Sequence, residues 1–284
     1  MRAYDLARLF GLAAIWSLQF LFLRVAVPVF GTAATADGRA FLGAAVLIPA
    51  ALFLGQHFAP RREWRAYLLV SAFNNVLPFV LYAFAATALP AGYLSIINGT
   101  VPLWTALFAA WLLHERFGPR RLAGFVLGFA GVALLVRLGP VAIEASTLLA
   151  TLAGLGATAC WAWAGVLIKQ RTGRIEPIAF AGATTLLSAL LMAPGWIGAP
   201  PPSAWTAQGA ASLVLLGAGC SGLAYLALFT LLRDIGPSRT LSVGFLTPLL
   251  GVLWGWLFLG EAVTASMIGG GVLVVLAMAL VLRR

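Results

Sequence analysis

Gly11–Arg24 reads GLAAIWSLQFLFLR, and Gly156–Lys169 reads GATACWAWAGVLIK. Gly11, Trp16 and Arg24 of the first stretch meet Gly156, Trp161 and Lys169 of the second at a constant offset of 145 residues. Pro49 and Pro194 keep that offset, and Pro102 and Glu115 match Pro248 and Glu261 at 146. One such match would mean little. A register held through three pairs of apolar runs and a loop marks an internal duplication.

The duplicated unit is built for lipid. Of the 284 residues, 62% are hydrophobic and 9% charged, with a mean hydropathy of +1.00. A soluble domain carries about 25% charged residues, so the bilayer must act as solvent. A spanning helix needs about 20 mostly apolar residues. The runs that qualify are 7–29, 34–55, 66–88, 91–113, 121–138, 147–169, 178–197, 209–232, 238–259 and 265–282, which predicts ten spans. Pro, Gly and Arg clusters such as Gly118-Pro119-Arg120-Arg121 and Pro200-Pro201-Pro202 punctuate them. The first run is longer than the apolar core of a signal peptide and reads as an uncleaved first helix.

The cations orient the spans, because cytoplasmic connections retain Lys and Arg. Fifteen of the eighteen fall at the termini and in the even-numbered connections: Arg2 and Arg8; Arg61, Arg62 and Arg65; Arg116, Arg120 and Arg121; Lys169, Arg171 and Arg174; Arg233 and Arg239; Arg283 and Arg284. Both termini are therefore expected in the cytoplasm. The net charge of +10 is explained by topology, and no nucleic-acid partner is implied. With five helices in each unit, residues 1–140 and 141–284, the second half enters the membrane from the opposite side. The fold class is an all-α polytopic membrane protein made of two inverted five-helix repeats. Such repeats supply two near-equivalent conformations, one open to each face, with substrate near the midplane.

These residues resemble the drug/metabolite transporter superfamily, in its ten-helix branch of two EamA-type halves. The likeness covers essentially the whole chain. It rests on Trp16 and Trp161 in the first helix of each half, on Arg39-Ala40-Phe41-Leu42 in the second helix, and on Pro102 and Pro248 in the fourth. Glu115 followed by Gly124, Gly128 and Gly131, and Glu261 followed by Gly269, Gly270 and Gly271, complete it. The second half departs at one point, with Thr184 where the first has Arg39. The resemblance implies a bacterial inner-membrane carrier, of the kind that exports amino acids and related metabolites.

Polar side chains inside a bilayer are costly and face a bundle interior or a wet cavity. Ser95, Asn98, Pro102 and Thr105 share one face of the fourth helix, and Asn74 or Asn75, Pro78 and Tyr82 share one face of the third. A mid-span proline frees a carbonyl, tolerated best where the backbone lines a cavity. Trp16 and Gln19 share a face of the first helix, while Trp161, Trp163 and Tyr225 offer aromatic surface in the second half. With Pro248, these are the expected substrate-binding residues. Helix packing through the same hydroxyls and amides is the alternative.

Asp37 and Arg39, two apart, point in different directions. An Asp37–Arg24 bridge, or snorkelling of both arginines to the interface, accounts for these charges structurally. Gly217-Ala218-Gly219-Cys220-Ser221-Gly222 matches G-x-G-x-x-G, but no strand precedes it and no acidic residue follows at the required distance. It reads as close helix packing, and no cofactor or metal is expected. Cys160 and Cys220 read as small packing residues. A facilitated carrier and a proton antiporter both remain open, Asp37 being the acidic residue within a predicted span. An uptake permease, a sugar or nucleotide-derivative carrier, and a membrane-embedded enzyme or scaffold are the competing readings.

Overall fold

A computed structural model of the protein describes residues 3–58, 60–112, 114, 118–138, 144–169, 176–196, 205–240 and 242–282. Glu115 and several loop cations, among them Arg116, Arg171 and Arg174, lie outside the described residues. Among the described residues the secondary structure is helical throughout. Among these residues eight helices are long and apolar enough to cross a membrane, and Val243–Leu259 is a shorter apolar one.

The first of them, α1 (Ala3–Phe53), has 51 residues. At 1.5 Å per residue it would run roughly 75 Å, more than twice the ~30 Å of hydrocarbon it must cross. Gly31 divides it, with φ 77° and ψ 171°, a conformation that only a residue without Cβ adopts cheaply. The sequence predicted a short connection between 29 and 34; one glycine makes the turn. Gln19 and Arg39, on either side of it, are hydrogen-bonded to each other, so the two arms fold back together.

The third predicted span is α2 (Pro60–Val70), a π-helical segment Ser71–Val76, and α3 (Leu77–Ala88). The eighth repeats this pattern as α9 (Ala207–Val214), a π segment Leu215–Leu223, and α10 (Ala224–Ile235). At the repeat offset Ser71 corresponds to Leu216, so both widened turns occupy matching places. A π turn accommodates one extra residue and re-aims the side chains around it. Pro78 supplies no N–H to the Asn74 carbonyl one α-turn back, and that carbonyl accepts instead from the Trp161 indole at 2.9 Å.

The fourth predicted span is interrupted. Helix α4 (Ala91–Asn98) ends at Gly99–Thr100 and α5 (Val101–Leu112) begins beyond it, with Pro102 at its second position. The remaining helices are α6 (Pro119–Leu138), α7 (Ala145–Lys169), α8 (Pro177–Met192), the short α11 (Pro237–Thr240), α12 (Val243–Leu259) and α13 (Ala265–Leu282). Pro248 lies inside α12 without ending it.

Small residues bring the halves together. A Cβ on Gly131 of α6 would meet the carbonyl oxygen of Gly270 in α13, and one on Gly270 would meet that of Gly131. Gly217 lies against Leu42 and the Arg39 backbone, and Gly182 of α8 against Leu47 and Ile48. The glycine-rich run of the eighth span is thus a packing surface. Over the protein as a whole, many exposed side chains are large and apolar, Phe53 and Trp111 among them, whereas Gln19, Arg39, Asn75, Ser188 and Ser221 are buried. Polar atoms turn inward, as a hydrocarbon solvent requires.

Candidate substrate site

Arg39 lies about 12 Å along the second arm of α1 from Gly31, from the helical rise. Its side chain is 4% exposed. The guanidinium donates from Nε to Ser221 Oγ at 2.8 Å and from Nη2 to Gln19 Oε1 at 2.9 Å. Its Cζ lies over the Phe79 ring, 4.0 Å from the centroid, a geometry that favours a cation. Nη1 has no hydrogen-bond partner. Gln19 and Arg39 come from the two arms of α1 and Ser221 from the second π segment, so one charge joins both halves.

A second polar group adjoins it. Asn74 Nδ2 donates to Asn75 Oδ1 at 3.0 Å and to the Tyr225 hydroxyl at 3.1 Å, and Asn75 Nδ2 donates to Ser188 Oγ at 3.1 Å. Tyr225 is one turn beyond Ser221, and Phe79 one turn beyond Asn75. Trp161 stacks on Tyr82 at 5.0 Å, and Tyr82, fully buried, has a hydroxyl without a hydrogen-bond partner. Amides, hydroxyls, aromatic faces and one guanidinium from both halves therefore meet at the level of the π segments.

This arrangement gathers Gln19, Asn75, Pro78, Tyr82, Trp161 and Tyr225 from the expected set and separates the rest. Ser95 donates to the Gly92 carbonyl at 2.8 Å and to the Pro248 carbonyl at 3.2 Å, which ties α4 to α12. Asn98 and Pro102 are half-buried beside the Gly99–Thr100 interruption. Thr100 Oγ1 bonds Thr158 of α7 at 3.1 Å, and Thr105 bonds back to Val101 in its own helix. Trp16 packs on the apolar cluster around Leu12, Ala224 and Leu250. Trp163, two residues past Trp161 and so on the opposite side of α7, meets Phe73, Phe108 and Trp111. A separate groove of about 390 Å³ runs between the first arm of α1, α9 and the end of α12, with Leu18, Phe22, Val25 and Phe258 in its wall. Its apolar lining suits a lipid chain better than a polar metabolite.

The sequence matches the EamA-like transporter family over residues 6–137 and again over 148–283. The chain belongs to that family. Each half is thus an EamA unit, and the whole is a multi-pass membrane transporter. It is 28% identical over 272 residues to an uncharacterized transporter of Bacillus subtilis (strain 168), YvbV, covering 95% of this chain and 88% of that one. A probable terminal-alkyne amino-acid exporter of Streptantibioticus cattleyicolor is 24% identical, with 95% of this chain and 90% of that one covered. A solved crystal structure superimposes with a TM-score of 0.67 at 24% identity, over 99% of this chain and 98% of the other, which establishes a common fold.

Within this EamA frame the charges fall differently from the sequence expectation. Arg24 does not pair with Asp37. It donates to the Ala86 carbonyl at 2.8 Å and lies 4.0 Å from Glu261. Arg39 does not snorkel: it is buried at the centre of the polar network. Ser221, Ser188 and Phe79 were missed altogether. An arginine embedded in an apolar run with no acid on its own helix face was the available signal for Arg39. Ser221 gave none, since a serine in a glycine-rich run reads as packing.

Further ties between the halves sit at the helix ends. Glu261 accepts from the Ala91 and Gly92 N–H groups at 2.7 and 3.1 Å, capping α4. Gln56 Oε1 accepts from the Ile178 and Ala179 N–H groups at 3.0 and 2.9 Å, capping α8. In each case one half satisfies the orphan donors of a helix in the other. Arg8 pairs with Asp234 at 2.9 Å.

Proposed function

We propose that the protein is a secondary carrier exporting small organic metabolites, amino acids and their relatives, across the bacterial inner membrane by alternating access. Counting the two arms of α1 separately and including α12 supports ten spans, five in residues 1–140 and five in 141–284, and the odd number per half with the distribution of loop cations supports inverted repeats with both termini cytoplasmic. The observation that carries this reading is the polar network shared by the two halves, Gln19–Arg39–Ser221 and Asn75–Asn74–Tyr225, at matching π segments. Polar groups at depth are costly, and at an interface between repeats they fit a substrate path. The caps at Glu261 and Gln56 and the Arg8–Asp234 pair tie the helix ends and must loosen when the halves rock.

The substrate lies against Tyr82, Trp161, Asn75 and Gln19, and its path across the membrane passes Asn98 and Pro102 at the Gly99–Thr100 interruption. The amino-acid class draws on the name of the Streptantibioticus relative and on the amide and aromatic character of these groups. Counterflow in proteoliposomes preloaded with single amino acids tests the reading. Uptake of labelled amino acid should exceed that of empty vesicles and should persist when the pH gradient is collapsed. A carrier that moves none of the amino acids with any preload is not an amino-acid transporter.

A further inference from the structure

We infer that Arg39 is the anchor for a carboxylate on the transported molecule, and that the site selects organic acids by that group rather than by an amino group. This rests on the carrier reading for its biological meaning, but the binding it describes can be tested without transport.

The argument starts from charge. A guanidinium stays protonated in any protein setting, and an ion taken out of water is normally matched by a counter-ion or a metal. Arg39 is 4% exposed and its partners, Gln19, Ser221 and Phe79, are all neutral. Three acids are committed elsewhere, Glu261 to the start of α4, Asp234 to Arg8 and Arg233, and Glu176 to His57, and Asp37, two residues before Arg39, points to another side of the helix. Among the described residues no carboxylate lies within ion-pair distance of Arg39. Among the described residues, then, a buried cation has no anion beside it.

The geometry says where that anion goes. Ser221 and Gln19 occupy Nε and one donor of Nη2, and Nη1 remains unpartnered. A guanidinium presents its donors as a planar fork that fits a carboxylate with two parallel N–H···O bonds. Phe79 and Tyr82 are buried against Arg39 and Trp161, and the half-buried Trp161 provides apolar surface for the rest of the molecule. Around Asn74, Asn75 and Tyr225 there are neutral oxygens only, so an ammonium group finds hydrogen bonds there and no counter-charge. A monoanion neutralises this site; a zwitterion leaves it positive. An acid lacking the amino group should bind at least as tightly as the amino acid.

Thermal unfolding of the purified full-length protein, at constant chloride, decides the matter with three probes of one shape: phenylalanine, 3-phenylpropanoate and phenylalanine amide. Both carboxylates should raise the melting temperature, the propanoate at the lower concentration. The amide should need at least about tenfold more, the scale of a lost charge-assisted pair. In Arg39→Gln the preference for acid over amide should vanish, and Arg39→Lys should retain part of it. If Arg39→Gln does not fold, the acid-to-amide ratio of the unaltered protein still decides. Equal shifts from amide and acids, a preference surviving in Arg39→Gln, an equal shift from chloride alone, or no shift from any probe overturns the assignment. Discrimination without counterflow would remove the carrier reading and leave the Arg39 site. Counterflow with full competition by the amide would do the reverse.

Discussion

Arg39 and Thr184 stand at matching places in the second helix of each half, and each meets the π segment of the other half, Arg39 through its guanidinium at Ser221 and Thr184 through its carbonyl at Ser71, but their side chains do different things. Thr184 Oγ1 donates to the Phe180 carbonyl at 2.9 Å and stays within α8. Arg39 reaches the other arm of α1, the second π segment and the Phe79 ring. Its partners are not duplicated either: at the repeat offset Gln19 corresponds to Ala164 and Ser221 to Val76. The α6–α13 seam is the opposite case, since Gly131 and Gly270 approach each other's carbonyls reciprocally. Duplication supplied the frame twice, and the polar chemistry sits in it once. A substitution in the frame should therefore act alike in both halves, and one in the chemistry should act in only one.

The largest inequality is expected at the arginine. Arg39→Gln should cut counterflow of a carboxylate substrate by about 100-fold or more, from two charge-assisted bonds at ~1.5 kcal/mol or above each. Thr184→Val should stay within about twofold. Similar losses at both positions would mean that Arg39 serves packing.

Next comes the fourth helix of each half, interrupted at Gly99–Thr100 in one and continuous through Pro248 in the other. Asn98→Ala should raise the substrate concentration for half-maximal flux roughly five- to a hundredfold, the cost of one hydrogen bond to bound substrate at about 1–3 kcal/mol. Gly244→Ala, at the matching place, should leave it unchanged. Asn98→Cys and Pro102→Cys should react with a small water-soluble thiol reagent and be protected by substrate, while Ile97→Cys and Val101→Cys should not. Uniform reactivity around the helix would confine the site to the network near Arg39.

The seam should show equality. Gly131→Val and Gly270→Val each push a side chain into a backbone oxygen and should lower stability by about 1–3 kcal/mol, by matching amounts in denaturation of the purified protein. A large difference between them would break the symmetry on which the comparison rests. The smallest effects are expected at the helix ends. Glu261→Ala and Gln56→Ala each remove a cap donated by the other half, at about 1 kcal/mol, with Glu261 the larger because its charge also meets the helix dipole. Equal melting temperatures for the two variants would show that the charge adds nothing.

Much of the frame was legible in the chain. Trp16 and Trp161, with the prolines and glycines at constant offset, revealed the repeat, and apolar runs of spanning length located its helices. The detail was less so. Pro78 and Pro102 marked backbone irregularities correctly, but one accompanies a π turn and the other an interrupted helix, and proline chemistry alone does not choose between them. Trp161 and Trp163 were indistinguishable as aromatic surface. Helical rotation sent one to Tyr82 and the other to Phe108.

By itself the sequence determined the membrane as solvent, the duplication and the family, because these depend on composition, run length and register, which are properties of the chain. Tertiary structure alone decided what the charges do. Arg24 and Arg39 read alike as arginines near an outer helix end, yet the turn at Gly31 folded one toward Ala86 and Glu261 and buried the other between Gln19 and Ser221. The partner of a buried cation is set by what lies across the helix interface, 20 residues away for Gln19 and 182 for Ser221. No local pattern carries that information.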